Sequence, residues 1–174
     1  MMKGMCTEKA QAMGKDFKVD YKDHHEFFAD WIGKSWFPWE NDGFPCWSHL
    51  SHVQSWWNYR HLDNILFVHF NDLLKDPEKA IRRIAKFLDI EIQEDKMPGI
   101  LERISFDSMK KGFSKIMPEA EEIWKKGAKN FMNKGTNGRW RDLLTKEELD
   151  KYDRAVAKSM TSDAAHWLEH GGEI

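Results

Sequence analysis

The stretch NILFVHFNDLLKDPEKAIRRIAKFLDI, residues 64–90, decides the fold class of this chain. Its first part, residues 64–70, is a nearly continuous apolar run, which is typical of a strand buried on both faces of a parallel sheet. A helix follows, with Asp76 as its N-cap and Pro77 at its first position. A buried strand that leads into an amphipathic helix predicts an α/β fold.

A strand buried on both faces needs neighbours, and the sequence offers only one other candidate strand, FKVDY at residues 17–21. The remaining segments are helical in pattern. Helices are predicted over residues 22–32, 47–61 and 118–127, as one or two short helices over residues 94–111, after the capping box of Thr145 and Glu148, and near Asp163. We therefore predict a mostly helical chain with one or two strands of a parallel sheet.

Composition and charge exclude several classes of protein. The chain has 174 residues, 41% of them hydrophobic and 32% charged, which fits one globular domain. A net charge of -2 argues against a general nucleic-acid binder. No apolar run is long enough to span a membrane, and Cys6 and Cys46 form no disulfide or zinc pattern. The sequence predicts a cytoplasmic protein that binds neither nucleic acid nor membranes.

Two short motifs invite a ligand interpretation that their surroundings do not support. GKS at residues 33–35 lacks the earlier glycine of a phosphate-binding P-loop, because Phe28 occupies that position. HWLEH at residues 166–170 matches an inverted zinc-protease motif, but no third ligand is evident. We predict the end of a helix at both places and no metal site.

The segment FMNKGTNGRWRD, residues 131–142, is a stronger candidate for a ligand site. Successive backbone N–H groups in a Gly-rich turn can form a concavity that binds anions, and Lys134 adds a positive charge. Phe131 is a candidate to stack on a base. On these grounds alone, a plain turn between two helices with solvated cations explains the segment equally well.

Three segments resemble the PAPS-dependent sulfotransferases, where PAPS is 3′-phosphoadenosine 5′-phosphosulfate. FMNKGTNGRWRDLLT resembles the C-terminal signature of that family. Residues 52–90 resemble its helix with paired tryptophans, its next strand and the Asp-Pro turn that follows. ILERISFDSMKKG resembles its Thr-Ser-Phe segment. The similarities cover roughly residues 23–160 in the family's order, and the NGRW version is closer to bacterial members.

The resemblance implies a P-loop-NTPase-like α/β fold and transfer of a sulfuryl group from PAPS to a hydroxyl or amine of a small-molecule acceptor. It implies that Lys134 and Gly135 bind the 3′-phosphate of PAPS or adenosine 3′,5′-bisphosphate, with Asn133 where the family often has arginine. The nucleotide-binding candidates, with Phe131 included, are Phe70, Ser105, Phe106, Phe131, Asn133, Lys134 and Gly135. Ser105 and Phe106 correspond to the adenine pocket, and Phe70 to a tyrosine at a strand end.

The family's first portion carries a loop for the 5′-phosphosulfate, a catalytic histidine and an Arg…Ser pair, and none of these is evident before residue 23. We therefore expect residues 1–22 to be a poorly defined lead and residues 23–174 to be the C-terminal part of a single sulfotransferase domain, inactive alone. The catalytic residues stay unassigned. The histidines to examine first are His49, His52 and His69.

Alternative interpretations remain open at this point. A different nucleotide-binding protein such as a small kinase would need a true P-loop, whereas a non-catalytic helical interaction module would expose aromatic residues between residues 27 and 57. The aromatic loop, residues 33–46 with the adjoining Trp47, is compatible with an apolar acceptor pocket or with core packing. Arg141, Thr145-Lys146 and Asp150 match the family's dimer signature only in part, so a homodimer is compatible with the sequence but weakly supported.

Overall fold

The computed structural model describes residues 21–118, 132 and 134–174. The α-helices in these ranges are, in chain order, α1 His24–Gly33, α2 His49–Trp57, α3 Phe70–Lys75, α4 Pro77–Phe87, α5 Met97–Ile104, α6 Phe106–Ile116, α7 Lys146–Ser159 and α8 Ser162–His170. Short 3-10 helices cover Glu94–Lys96 and Arg139–Asp142. The chain divides into unit 1, Met1–Phe27 with Pro98–Asp142, and unit 2, Phe28–Met97 with Leu143–Ile174.

The core of unit 2 forms where helices from both of its chain segments meet. Ile32 of α1, Leu50 of α2 and Val156 of α7 are buried together, and Leu50 is fully inaccessible. The partly buried residues packed around them are Phe28, Trp31, Tyr152, Ala155, Met160, Ala165 and Leu168. Burying these apolar side chains is the main force that holds α1, α2, α7 and α8 together.

The N-cap residues predicted for two helices, α4 and α7, are confirmed. The Asp76 side chain accepts the backbone N–H of Lys79 at the start of α4, and Pro77 follows it in the first turn. Thr145 and Glu148 form a complete capping box at the start of α7. Both signals act within one helical turn, so they operate whatever the rest of the chain does.

The strand predicted over residues 64–70 is not confirmed. Residues 65–69 are half-buried and pair with no strand in the described ranges, and α3 begins at Phe70. Phe70 is thus a helix residue that is 46% exposed, not a buried strand end. A strand is stabilised by pairing with a neighbour. The second candidate, FKVDY, lies outside the described residues except for Tyr21, and the helix predicted over residues 118–127 lies almost wholly outside them.

Other helix boundaries in the structure differ from the predicted ones by a few residues. Residues 94–111, predicted as one or two short helices, form a 3-10 turn followed by two helices, α5 and α6, which are separated at Ser105. The helix predicted from residue 47 begins at His49, after Ser48 as N-cap. Among the described residues, no helix combines the length and the apolar character that crossing a membrane requires.

Asp163 of α8 connects this helix to the C-terminal end of α2. Its Oδ2 accepts a hydrogen bond of 2.9 Å from the Trp57 indole Nε1 and lies 3.1 Å from Nη2 of Arg60. Hydrogen bonds from Thr161 and from Trp57 lower the pKa of Asp163 to about 2. The folded state therefore favours the ionised carboxylate.

This pKa shift predicts how acid acts on the fold. Because the pKa of Asp163 is lower in the folded chain than its ordinary value of 3.8, its stabilising contribution is complete above about pH 4 and is lost as the pH falls toward 2. We expect Asp163→Asn to lower the urea midpoint at pH 7, and the gap to the original chain should narrow between pH 4 and pH 2. If the difference between the urea midpoints of the original chain and Asp163→Asn stayed constant down to pH 2, the role of Asp163 would be contradicted.

Candidate functional site

The candidate site in unit 1 is built on the Gly-rich loop, residues 134–138. Gly135 has φ +62° and Gly138 has φ +81°, a region of backbone conformation that favours glycine. The Asn137 side chain accepts the Gly138 N–H at 2.8 Å, and the Gly138 carbonyl accepts the Arg141 N–H at 3.2 Å. The loop is therefore an ordered turn that leads into the 3-10 helix.

The Gly-rich loop lies against the ring of Phe106, the first residue of α6. A Cβ atom built on Gly135 would come within 2.5 Å of Cδ2 and 2.7 Å of Cε2 of Phe106. Only a residue without a side chain permits this approach. The structure thus brings together two segments that sequence analysis had assigned to the same nucleotide site, although they are distant in the chain.

Ser105 sets the position of Phe106. Its hydroxyl accepts the Ser108 N–H at 3.3 Å, and its backbone is extended with φ -59° and ψ 146°, so it acts as the N-cap of α6. One turn later, the Lys110 ammonium lies 5.6 Å from the centroid of the Phe106 ring. A half-buried aromatic ring and a cation are therefore placed beside the loop.

The loop and the 3-10 helix carry a local excess of positive charge. Residues 134–142, KGTNGRWRD, contain one lysine, two arginines and one aspartate. Lys134 is exposed at the start of the loop, and Arg141 lies 4.9 Å from the Trp140 ring centroid. A cluster of this kind on a chain of net charge -2 favours a local anionic ligand.

The other residues predicted to bind the nucleotide, Phe70, Phe131 and Asn133, stay predictions of the family resemblance. Phe131 and Asn133 lie outside the described residues. Phe70 belongs to unit 2, as the first residue of α3. The contacts within unit 1 therefore join Gly135 and Phe106, with Lys134 and Ser105 as their chain neighbours.

Two of the three histidines singled out as possible bases have different surroundings. His69 Nδ1 accepts the Asn71 N–H at 3.1 Å, so its Nε2 donates to the Leu168 carbonyl at 3.0 Å. Both ring nitrogens thus serve the fold. His49 is exposed at the start of α2; partial desolvation lowers its pKa, and the Asp42 carboxylate opposes this shift.

Asp42 was missed by sequence analysis. It is fully buried and accepts hydrogen bonds from the Ser48 hydroxyl and from the N–H groups of His49 and Leu50, at 3.0 and 3.1 Å. It therefore satisfies the first turn of α2 with a negative charge at the positive end of the helix. A lone aspartate in a loop rich in glycine and proline gives no pattern that separates it from a solvated turn residue.

The tryptophans of the aromatic loop are not core residues. Trp36, Trp39 and Trp47 are 49%, 72% and 79% exposed. Phe37 and Trp39 stack with their centroids 4.8 Å apart and their planes 9° apart. Core packing, one of the two explanations offered by the sequence, therefore does not account for these residues.

The two short motifs occupy helix ends. Gly33 is the last residue of α1, and the Lys34 ammonium pairs with Asp30 at 2.7 Å, one turn earlier. His166 and His170 lie in the last turns of α8 with ring centroids 4.8 Å apart. Within the part of the chain that the structure describes, no three His, Cys, Asp or Glu side chains are grouped to hold a metal ion.

Comparison with known proteins places these features in a family. A family model described as a sulfotransferase domain matches residues 12–163. Sulfotransferase 1A1 of Rattus norvegicus is 30% identical over 115 residues, which cover 66% of this chain and 40% of the relative. Sulfotransferase 1B1 of Mus musculus is 28% identical over 158 residues, which cover 85% of this chain and 52% of the relative.

A solved structure gives the same result in three dimensions. A mouse sulfotransferase complexed with PAP superposes with a TM-score of 0.56 and 26% identity over 70% of this chain and 44% of that chain. The chain spans about 40 to 52% of the length of the two relatives described above. The match over residues 12–163 includes both the Gly-rich loop and the Phe106 segment, and the chain belongs to the sulfotransferase domain family.

Proposed function

We propose that this chain acts in the transfer of the sulfuryl group of PAPS to a hydroxyl or amine of a small molecule. The observation that carries the proposal is the contact between Gly135 and Phe106, because it joins a loop suited to phosphate with an aromatic ring suited to a base. Family membership supports the reaction, and the related mouse enzyme complexed with PAP supports the nucleotide. PAP, adenosine 3′,5′-bisphosphate, is what remains of PAPS after the sulfuryl group has left.

The Gly-rich loop would bind the 3′-phosphate. Lys134 contributes a mobile point charge, and the loop backbone contributes N–H donors that glycine leaves accessible. Hydrogen bonds from a cation to a phosphate are shorter and stronger than neutral ones. The 3′-phosphate, which carries a charge of about −1.5 to −2 near pH 7, would therefore be distinguished here from an uncharged 3′-hydroxyl.

Phe106 would contact the adenine. Its ring is half-buried and is held by the N-cap at Ser105, so little side-chain entropy is lost when a base packs against it. The Lys110 ammonium near the same ring adds positive potential on this side of the loop. Phe131 and Asn133 are retained as proposed contacts from the family resemblance, and Phe70 likewise.

Catalysis of sulfuryl transfer depends mainly on how the acceptor and the donor are positioned. Sulfuryl transfer needs the acceptor oxygen or nitrogen in line with the leaving phosphate and a group that takes up the acceptor's proton. His69 is committed to two structural hydrogen bonds, which leaves His49 and His52 of the three histidines selected from the sequence.

The aromatic loop is the proposed contact surface for an apolar acceptor. Two ring pairs present flat apolar faces. Phe37 stacks on Trp39, and the centroids of the Trp36 and Phe44 rings lie 4.9 Å apart. Such rings bind planar molecules at low entropic cost. A cytoplasmic location, a bacterial-type sequence and a homodimer remain predictions of the sequence.

Lys134→Ala is expected to weaken the binding of adenosine 3′,5′-bisphosphate by about 10- to 150-fold, which corresponds to the roughly 1.5 to 3 kcal/mol of a charge-assisted hydrogen bond. Titration calorimetry would measure it against Lys115→Ala, which removes an exposed lysine of α6 in the same unit. Adenosine 5′-phosphate should bind the original chain and Lys134→Ala equally weakly. If the original chain does not distinguish the bisphosphate from the monophosphate, the loop is not a 3′-phosphate site.

A thermal-shift comparison separates the alternative functions. Stabilisation by adenosine 3′,5′-bisphosphate but not by ATP is expected for the proposed function. The reverse order would indicate a different nucleotide-binding protein. No shift with either ligand would favour the interaction module, which the exposed tryptophans of the aromatic loop also suit.

A further inference from the structure

The side chain of Arg141 folds back from the 3-10 helix onto the Gly-rich loop. A Cβ atom built on Gly138 would collide with Nη1 of Arg141 and would lie 3.4 Å from its Cζ. The guanidinium group therefore occupies the space that a side chain at position 138 would fill. Glycine permits this approach because it has no Cβ atom and readily adopts the positive φ of +81°.

Two further contacts hold Arg141 in this position. Its guanidinium carbon lies 4.9 Å from the centroid of the Trp140 ring, which is within the range of a cation–π contact. Its backbone N–H donates to the Gly138 carbonyl at 3.2 Å. Because the backbone and the side chain are both held, little side-chain entropy is lost when the guanidinium binds a ligand.

The Arg141 guanidinium is accessible to a ligand. Arg141 is an exposed residue despite its contacts with Trp140 and Gly138. Within the ranges that the structure describes, no Asp or Glu carboxylate forms an ion pair with it. The contacts with Trp140 and Gly138 therefore place the charge on the loop without neutralising it.

The Gly-rich loop thus has a cation at each end. Lys134 is exposed at its first position, and the Arg141 guanidinium lies on Gly138 at its last position. The two cations differ in what they recognise. An ammonium group acts as a point charge, whereas a planar guanidinium binds two oxygens of one phosphate through parallel N–H donors.

We propose that Arg141 is a phosphate-binding residue of this site, and that its guanidinium binds the 3′-phosphate of the nucleotide from the Gly138 end of the loop. Lys134 would bind the same phosphate from the other end. The assignment rests on the proposed function, because it takes the 3′-phosphate as the ligand of the loop. It adds to that function a residue that sets the preference for a 3′-phosphate over a 3′-hydroxyl.

Arg141→Gln is expected to weaken the binding of adenosine 3′,5′-bisphosphate on the order of 10-fold and to leave the binding of adenosine 5′-phosphate unchanged. Titration calorimetry measures both ligands, and the salt dependence of bisphosphate binding should become weaker in the variant. Arg141→Lys should recover only part of the loss, because lysine keeps the charge but lacks the planar donors. Arg139→Gln, which removes the same charge from the same 3-10 helix, is the control and should lose less.

A direct observation of the Arg141 side chain completes the test. Its Nε–H resonance in nuclear magnetic resonance spectra should shift with adenosine 3′,5′-bisphosphate and stay in place with adenosine 5′-phosphate. An unshifted resonance would overturn the assignment of Arg141. Equal losses of affinity in Arg139→Gln and Arg141→Gln would also overturn it, because total charge rather than position would then decide binding.

The remaining outcomes separate this inference from the proposed function. If the original chain does not distinguish the bisphosphate from the monophosphate, the loop is not a 3′-phosphate site and both fail. If the original chain distinguishes them and Arg141→Gln does so equally well, only the role of Arg141 fails. A loss of affinity that comes with a lower melting temperature or an altered sedimentation coefficient of the free variant would assign Arg141 to folding or association instead.

Discussion

Replacing Gly135 with alanine is expected to weaken the binding of adenosine 3′,5′-bisphosphate on the order of 30-fold or more. Two costs combine. A residue with a Cβ atom at φ +62° is disfavoured by roughly 1–2 kcal/mol. The same atom would lie 2.5 Å from Cδ2 of Phe106, so either the ring or the loop must move. Both movements displace the groups proposed to hold the nucleotide.

The control for Gly135→Ala is Gly112→Ala in α6. A Cβ atom on Gly112 meets no atom within 4 Å, and alanine is the better helix former, so nucleotide binding should not change. Calorimetry on both variants measures the difference. A second test combines Gly135→Ala with Phe106→Leu. Because leucine is smaller than phenylalanine, it should relieve part of the steric clash. The loss of binding free energy in the double variant should then be smaller than the sum of the losses in the two single variants. If Gly135→Ala bound the nucleotide normally, the contact between Gly135 and Phe106 would not be part of the binding site.

Asp42→Ala is expected to lower the free energy of unfolding by about 3 kcal/mol or more. The substitution removes a fully buried carboxylate and leaves the Ser48 hydroxyl and the N–H groups of His49 and Leu50 without their acceptor. It also leaves a cavity next to Leu50, which is fully buried in the core of unit 2. Asp42→Asn retains one acceptor oxygen and should show a smaller loss.

Urea unfolding at pH 7 measures the effect of Asp42→Ala. Asp153→Ala is the matched control, because Asp153 is an exposed residue of α7 in the same unit. Removing it should change the midpoint little. Equal midpoints for the two alanine variants would mean that the first turn of α2 does not depend on the buried carboxylate. Since α2 carries Leu50 into the core, a loss confined to Asp42 would show that this loop stabilises the whole unit.

Local features of the chain were predictable because their physics is local. The N-cap at Asp76, the proline after it and the capping box of Thr145 and Glu148 each act within one helical turn. The Gly-rich loop was recognisable for the same reason, since glycine permits the positive φ at Gly135 whatever surrounds it. The order of such signals along the chain was enough to identify the family.

Features that join distant residues were decided by tertiary structure alone. Two examples are the contact of Phe106 with Gly135 and the burial of Asp42 at the start of α2. Both depend on how distant segments pack, and neither leaves a periodic pattern in the sequence. The apolar run at residues 64–70 shows the limit most clearly. Its composition favours a strand, but strand structure needs hydrogen-bonding partners on another segment, and the described residues supply none to Leu66 or Val68. Helices form their hydrogen bonds within themselves, and apart from α3 those in the described ranges were predicted, whereas a strand takes its structure from what pairs with it.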